Sequence, residues 1–180
     1  KKKLDTWQDQ KFGMIIHWGL YAVPGIIESW SICSEDWIER DSTVKYEDYK
    51  KWYWGLSEKF NPTAFNPEQW AKAGKDAGMK YLVFTTKHHD GFALWPSKYT
   101  DYTIKKSPYK KDIVKQVVDA YTAEGIDVFL YFSILEWNNS NYMGKAPSTP
   151  EEKAKFNKFL EYTRNQSLEL LQNYPQIKGF

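Results

Sequence analysis

The sequence predicts an α/β protein of parallel strands joined by helices. Three observations carry this. Short apolar, β-branched runs alternate with segments of helical period, and no internal repeat or low-complexity tract interrupts them. The polar, titratable residues gather directly after the runs that read as strands, where open and closed α/β sheets keep their chemistry.

Gly13-Met14-Ile15-Ile16 reads as the first strand, followed by an aromatic-rich segment from His17 to about Val44 without helical period. Loops of that length are uncommon unless functional. From Lys45 to Phe60, Tyr46, Tyr49, Trp52, Tyr53 and Leu56 fall on one helical face, and Asn61-Pro62 ends it. Asn66-Pro67-Glu68-Gln69 opens the next helix with an N-cap and a proline at the first position, and Ala77-Gly78 closes it. Lys80 to Thr86 is continuous, β-branched and aromatic, as expected of a strand covered on both faces. Lys111 to Ala123 places Ile113, Val114, Val117, Val118 and Tyr121 on one stripe, with Glu124-Gly125 at its end. Ile126 to Ser133 is the third strand. Pro150 to Leu171 is a long helix with Phe156, Phe159, Leu160 and Tyr162 inward, and Gln176 to Phe180 starts a fourth strand. Right-handed crossovers would join about four parallel strands, the N-terminal half of a (β/α)8 (TIM) barrel, in one partial domain over residues 1–180. Such a half leaves two edge strands unpaired.

Composition bounds the function. With 25 Lys+Arg against 23 Asp+Glu, there is no basic field to hold nucleic acid. No apolar run approaches the ~20 residues of a membrane span. Cys33 stands alone, so no intrachain disulfide forms. The chain opens on Lys1-Lys2-Lys3, so a signal peptide is expected to have been removed or never present. Aromatics reach 18%, with nine Trp and thirteen Tyr, more than a core of this size needs. Flat rings with polar edges suit the apolar faces of sugar rings.

All three histidines lie in Ile15-Ile16-His17-Trp18-Gly19 and Lys87-His88-His89-Asp90-Gly91, each directly after a predicted strand. Burying His88 and His89 side by side requires partners for four ring nitrogens, which favours use over packing. Glu28 sits in the apolar stretch Gly25-Ile26-Ile27-Glu28-Ser29-Trp30, where a carboxylate is costly unless hydrogen-bonded or used. Metal binding by His17, His88, His89 and Asp90 competes with this reading. Adjacent histidines on extended backbone point to opposite sides, however, and no HxH or HExxH spacing helps. There is no GxSxG nucleophile elbow and no glycine-rich phosphate loop. What remains is a polar, aromatic pocket with Glu28, Glu35, Asp90 and Glu136 nearby, a carbohydrate site with no cofactor and no metal expected.

The blocks Phe12-Gly13-Met14-Ile15-Ile16-His17-Trp18-Gly19-Leu20-Tyr21 with Val23-Pro24, Phe65-Asn66-Pro67-Glu68-Gln69-Trp70-Ala71, Ala77-Gly78-Met79-Lys80-Tyr81 and Thr86-Lys87-His88-His89-Asp90-Gly91-Phe92 resemble the α-L-fucosidases of glycoside hydrolase family 29. The resemblance runs from about Lys11 to Phe180. It implies a retaining exo-glycosidase on a (β/α)8-like barrel, usually followed by a β-sandwich, acting on fucosylated oligosaccharides or glycoconjugates in a periplasmic, extracellular or lysosomal-type compartment. By that likeness His17, His88 and His89 hydrogen-bond fucose hydroxyls and Tyr131 lines the pocket. Glu28 with Trp30 answers the family's Glu-Trp pair, here split by Ser29. Trp137, at a loop base after the third strand, joins the substrate-binding set. The family nucleophile is an aspartate in a Trp-x-Asp-Gly-type motif past the fourth strand, and the acid/base follows it. Both are expected beyond Phe180, so no catalytic carboxylate is assigned here and a C-terminal half chain is the expected partner. The alternatives are a non-catalytic carbohydrate-binding fragment or pseudoenzyme, and a metal-dependent hydrolase.

Overall fold

A computed structural model describes residues 2–34 and 38–180. Its centre is a three-stranded parallel sheet in the order β1-β2-β3, with β1 at Gly13–Ile16, β2 at Tyr81–Lys87 and β3 at Asp127–Phe132. Gly13 pairs with Tyr81, and a Cβ at Gly13 would stand 2.6 Å from the Tyr81 ring. Glycine is therefore what lets β1 start against an aromatic neighbour. The expected fourth strand is present only as a parallel bridge from Gly179 to Phe129, with Lys178 N donating to Val128 O at 2.8 Å and Leu130 N to Gly179 O at 2.9 Å.

Among the described residues there are five α-helices: α1 Lys2–Asp9, α2 Tyr46–Gly55, α3 Pro67–Asp76, α4 Ile113–Ala123 and α5 Pro150–Asn173. The caps follow the sequence signals. Asn66 accepts from Gln69 N at the start of α3, Asp112 accepts from Lys115 N at the start of α4, and Thr149 and Glu152 form a reciprocal capping box on α5. The α4 stripe Ile113, Val114, Val117, Val118 and Tyr121 is wholly buried, packed over Leu82, Phe84, Val128 and Leu130 of the sheet.

After β1, where the sequence shows no helical period, 3-10 turns form at Leu20–Ala22 and Glu28–Ile32, too short to leave one. Two expectations need correction: Trp52 on α2 and Leu160 on α5 face outward, 42% and 46% exposed. In α5 Phe159 is buried as expected and Phe156 and Tyr162 are half-buried, and Gln166, Glu169 and Leu170 join the inner face. Its polar pair reaches into the molecule: Gln166 Oε1 accepts from Lys87 Nζ at 2.9 Å and Glu169 Oε2 from Trp95 Nε1 at 2.9 Å. A helix docked through hydrogen bonds does not announce its inner face by hydrophobicity. Among the described residues no helix is long and apolar enough to cross a membrane.

Candidate active site

A register irregularity between Thr85 and Lys87 sets the site at the carboxyl end of β2. The extra residue shifts the alternation of side chains. Lys87 thus turns inward to meet Glu136 and Gln166, and His88 emerges beside His17 from the end of β1. The strand stops at Lys87, and a turn follows in which Gly91 N donates to His88 O at 3.1 Å. Gly91 has φ +78, and a Cβ there would lie 2.9 Å from Glu136 Oε1. Both the backbone and the space select glycine.

This turn brings His88 and His89 together, with ring centroids 4.2 Å apart. Opposite faces were expected of an extended pair, but the alternation ends with the strand. His17 lies 5.4 Å from His88 and 4.8 Å from Tyr131, ring to ring. Trp30 packs 4.6 Å from His89 and 5.9 Å from Trp137, and Trp137 lies 5.0 Å from His89. Glu28 Oε2 accepts from Trp30 Nε1 at 2.9 Å and faces His88 Nε2 at 3.3 Å. All seven residues named from the sequence, His17, Glu28, Trp30, His88, His89, Tyr131 and Trp137, therefore form one continuous cluster. Glu35 lies outside the described residues.

The other two carboxylates belong to the floor. Asp90 accepts from Tyr53 OH at 2.9 Å and Phe92 N at 3.0 Å, and burial pushes its carboxyl up to about 6. Glu136 binds Lys87 Nζ and accepts from Tyr162 OH at 3.0 Å, with side chains of 0% and 5% exposure for the lysine and glutamate. Burial lowers the Lys87 ammonium while Glu136 opposes that fall. The Glu136 loop also carries Trp137, whose N donates to His89 O at 2.9 Å.

Burial, and then the neighbouring His89 and His17, pulls His88 down to about 3, so it is neutral at pH 7. His89 is lowered too, chiefly by burial, against the Leu135 carbonyl and the Glu28 carboxylate. Neutral imidazoles beside indoles and a carboxylate can exchange hydrogen bonds with hydroxyls while rings cover an apolar face. His17, Glu28 and His88 also offer three ligand atoms within 4.8 Å of one another, a set that suits a divalent ion by ligand type.

Two serines contribute that sequence reading passed over. Ser29 Oγ bonds His88 Nδ1, and Ser133 Oγ bonds His89 Nδ1 at 2.6 Å. Tyr21 is a third such residue, its ring 5.7 Å from His88 and its buried hydroxyl without a hydrogen-bond partner among the described residues. The available signal for Ser29 was its position inside the Glu28–Trp30 pair.

The family model described as Alpha-L-fucosidase matches residues 1–178. Plasma α-L-fucosidase of Homo sapiens is 33% identical over 98% of this chain and 39% of its own length. A crystal structure of a GH29 α-L-fucosidase from Bacteroides thetaiotaomicron aligns with a TM-score of 0.81 at 40% identity, covering 99% of this chain and 40% of that one. The Thermotoga maritima α-fucosidase aligns at 0.69 and 31% identity, over 92% of this chain and 42% of that one. Another structure of the Bacteroides enzyme is described as a trapped covalent intermediate in complex with 2-fluoro-fucosyl fluoride. The chain spans about two fifths of the length of these relatives. On this agreement of sequence and fold, the chain belongs to the α-L-fucosidase family of glycoside hydrolases.

Proposed function

We propose that these 180 residues supply the sugar-binding part of an α-L-fucosidase barrel that hydrolyses terminal α-L-fucose from oligosaccharides or glycoconjugates with retention. The observation that carries this reading is the convergence of His17, His88, His89, Glu28 and Tyr131 from separate segments onto the carboxyl end of one sheet. In it, the imidazoles and Glu28 bind sugar hydroxyls, and Trp30 and Trp137 wall the ring.

Retaining hydrolysis needs two carboxyl groups about 5 to 5.5 Å apart, one attacking the anomeric carbon and one protonating the leaving oxygen. Asp90 and Glu136 are committed to Tyr53 and Lys87 beneath the site. We therefore assign nucleophile and acid/base to residues outside this segment, in a C-terminal portion that completes the barrel. The open edge of the sheet supports this: among the described residues β1 pairs with β2 alone, and Ile15 within it is 55% exposed.

The test is hydrolysis of an aryl α-L-fucoside by this chain alone and by a polypeptide extended to the length of the relatives. The account expects turnover with retained anomeric configuration only from the longer protein. Turnover by the 180 residues alone would refute the division of labour, and inversion by the longer form would refute the retaining mechanism.

A further inference from the structure

The two serines face their histidines with different proton budgets. Ser133 Oγ stands 2.7 Å from the Leu135 carbonyl and 2.6 Å from His89 Nδ1. A hydroxyl has one proton and a carbonyl has none, so the Ser133 proton goes to Leu135. Its oxygen then accepts from His89, which fixes the His89 proton on Nδ1 and leaves the lone pair on Nε2. At His88 the order reverses. Its Nε2 stands 3.3 Å from a Glu28 carboxylate oxygen, which can only accept, so a proton on Nε2 with the Nδ1 lone pair toward Ser29 Oγ is the arrangement that makes both contacts favourable. Among the described residues His89 Nε2 has no hydrogen-bond partner, and it is not one of the unpartnered atoms sealed from solvent.

We propose that Ser29 and Ser133 are positioning residues that hold His88 and His89 in opposite tautomers, so that His89 Nε2 demands a ligand hydroxyl able to donate. Without Ser133 the Nδ1 proton loses its hydroxyl acceptor, the Leu135 carbonyl is left as the group that favours it, and the hold on the tautomer weakens. The fraction with its proton on Nε2 would then meet a sugar hydroxyl as a donor. The hydroxyl requirement rests on the fucose reading given above, whereas the tautomers do not depend on it.

The experiment is a long-range proton–nitrogen correlation spectrum of the histidine rings in the 180-residue chain at pH 7. The expected pattern is a protonated Nε2 at His88 and a protonated Nδ1 at His89; the same tautomer on both rings would overturn the proposal. Ser133→Ala should move His89 toward a mixture while His88 keeps its pattern, and Ser133→Thr should restore it. An unchanged His89 in Ser133→Ala would remove the role of Ser133. In a titration with monodeoxyfluoro L-fucoses, at least one analogue should bind roughly 5- to 100-fold more weakly than L-fucose, since fluorine cannot donate. Equal binding by all would overturn the donor requirement. The spectra need no sugar, so opposite tautomers in a chain that ignores L-fucose would refute the fucose reading alone, and matched tautomers in a chain that binds it would refute this inference alone.

Discussion

Glu136→Gln separates a structural carboxylate from a catalytic one. The substitution keeps the shape and removes the charge that faces Lys87, leaving an ammonium of 0% exposure with the neutral Gln166 Oε1 at 2.9 Å. Breaking a buried pair in this way costs ~3–5 kcal/mol. The lysine has an escape, because burial already favours its neutral form. Giving up that proton costs about 1.4 kcal/mol for each pH unit below an ordinary lysine pKa near 10.4, or ~4.6 kcal/mol at pH 7 and ~1.9 kcal/mol at pH 9. The loss is therefore capped near ~4.6 kcal/mol at pH 7 and shrinks as pH rises. Urea unfolding reads it directly. With an m-value of ~2 kcal/mol/M, the midpoint should fall by ~1.5–2.3 M at pH 7 and by less than ~1 M at pH 9. Adding Lys87→Met should recover much of the loss, since it removes the stranded charge. A cost below ~1 kcal/mol at pH 7, or one independent of pH, would refute the role given to this pair.

Further outcomes follow from the same geometry. Because His88 is held near 3 when folded and titrates near 6.5 when unfolded, the unfolded chain binds more protons in between, and stability should fall as pH drops from 6.5 toward 3, by up to ~1.4 kcal/mol per unit. Asp90 acts oppositely: its folded pKa of about 6 exceeds the ordinary 3.8, so its contribution grows as pH falls through 6 and is complete below 3.8. Asp90→Asn should therefore steepen the loss of stability between pH 6 and 4, and an unchanged slope in chemical unfolding would contradict these assignments. Gly91→Ala, with φ +78 and Glu136 Oε1 2.9 Å from the new Cβ, should cost ~1–3 kcal/mol in the same unfolding assay. In the completed enzyme His88→Ala or His89→Ala should lower kcat/KM by roughly 2 to 4 kcal/mol of transition-state stabilisation, and unchanged kinetics in both would remove them from the site.

What the sequence made legible was set by local physics. The stripe from Ile113 to Tyr121 and the cap at Asn66 involve residues three or four apart and are found as expected, and the structure adds caps of the same local kind at Asp112 and Thr149. His88, His89 and Glu28 stood out in the sequence because polar groups in apolar runs carry a cost that needs a use, whereas Tyr131 and the pairing of Glu28 with Trp30 were named by the family resemblance. The floor was not readable. Lys87 meets Glu136 and Gln166 across 49 and 79 residues of sequence, and Trp95 meets Glu169 across 74, so no window of the chain contains both partners. The inner face of α5 was read only in part for this reason: Phe159 is buried as expected, but Leu160 is exposed while Gln166 and Glu169 are buried by bonds to distant strand and loop groups. The gathering of His88 with His89 was hidden because adjacent residues on extended backbone diverge, whereas the chain turns directly after β2, with Gly91 N bonded to His88 O.

The most direct test of the sugar pocket is to titrate L-fucose into this chain while following the side-chain resonances of His17, His88 and His89. Binding at one shared site predicts that all three move along a single saturation curve, with D-fucose leaving them in place. Silence of the three rings at saturating L-fucose, or separate curves for His17 and the His88–His89 pair, would contradict it.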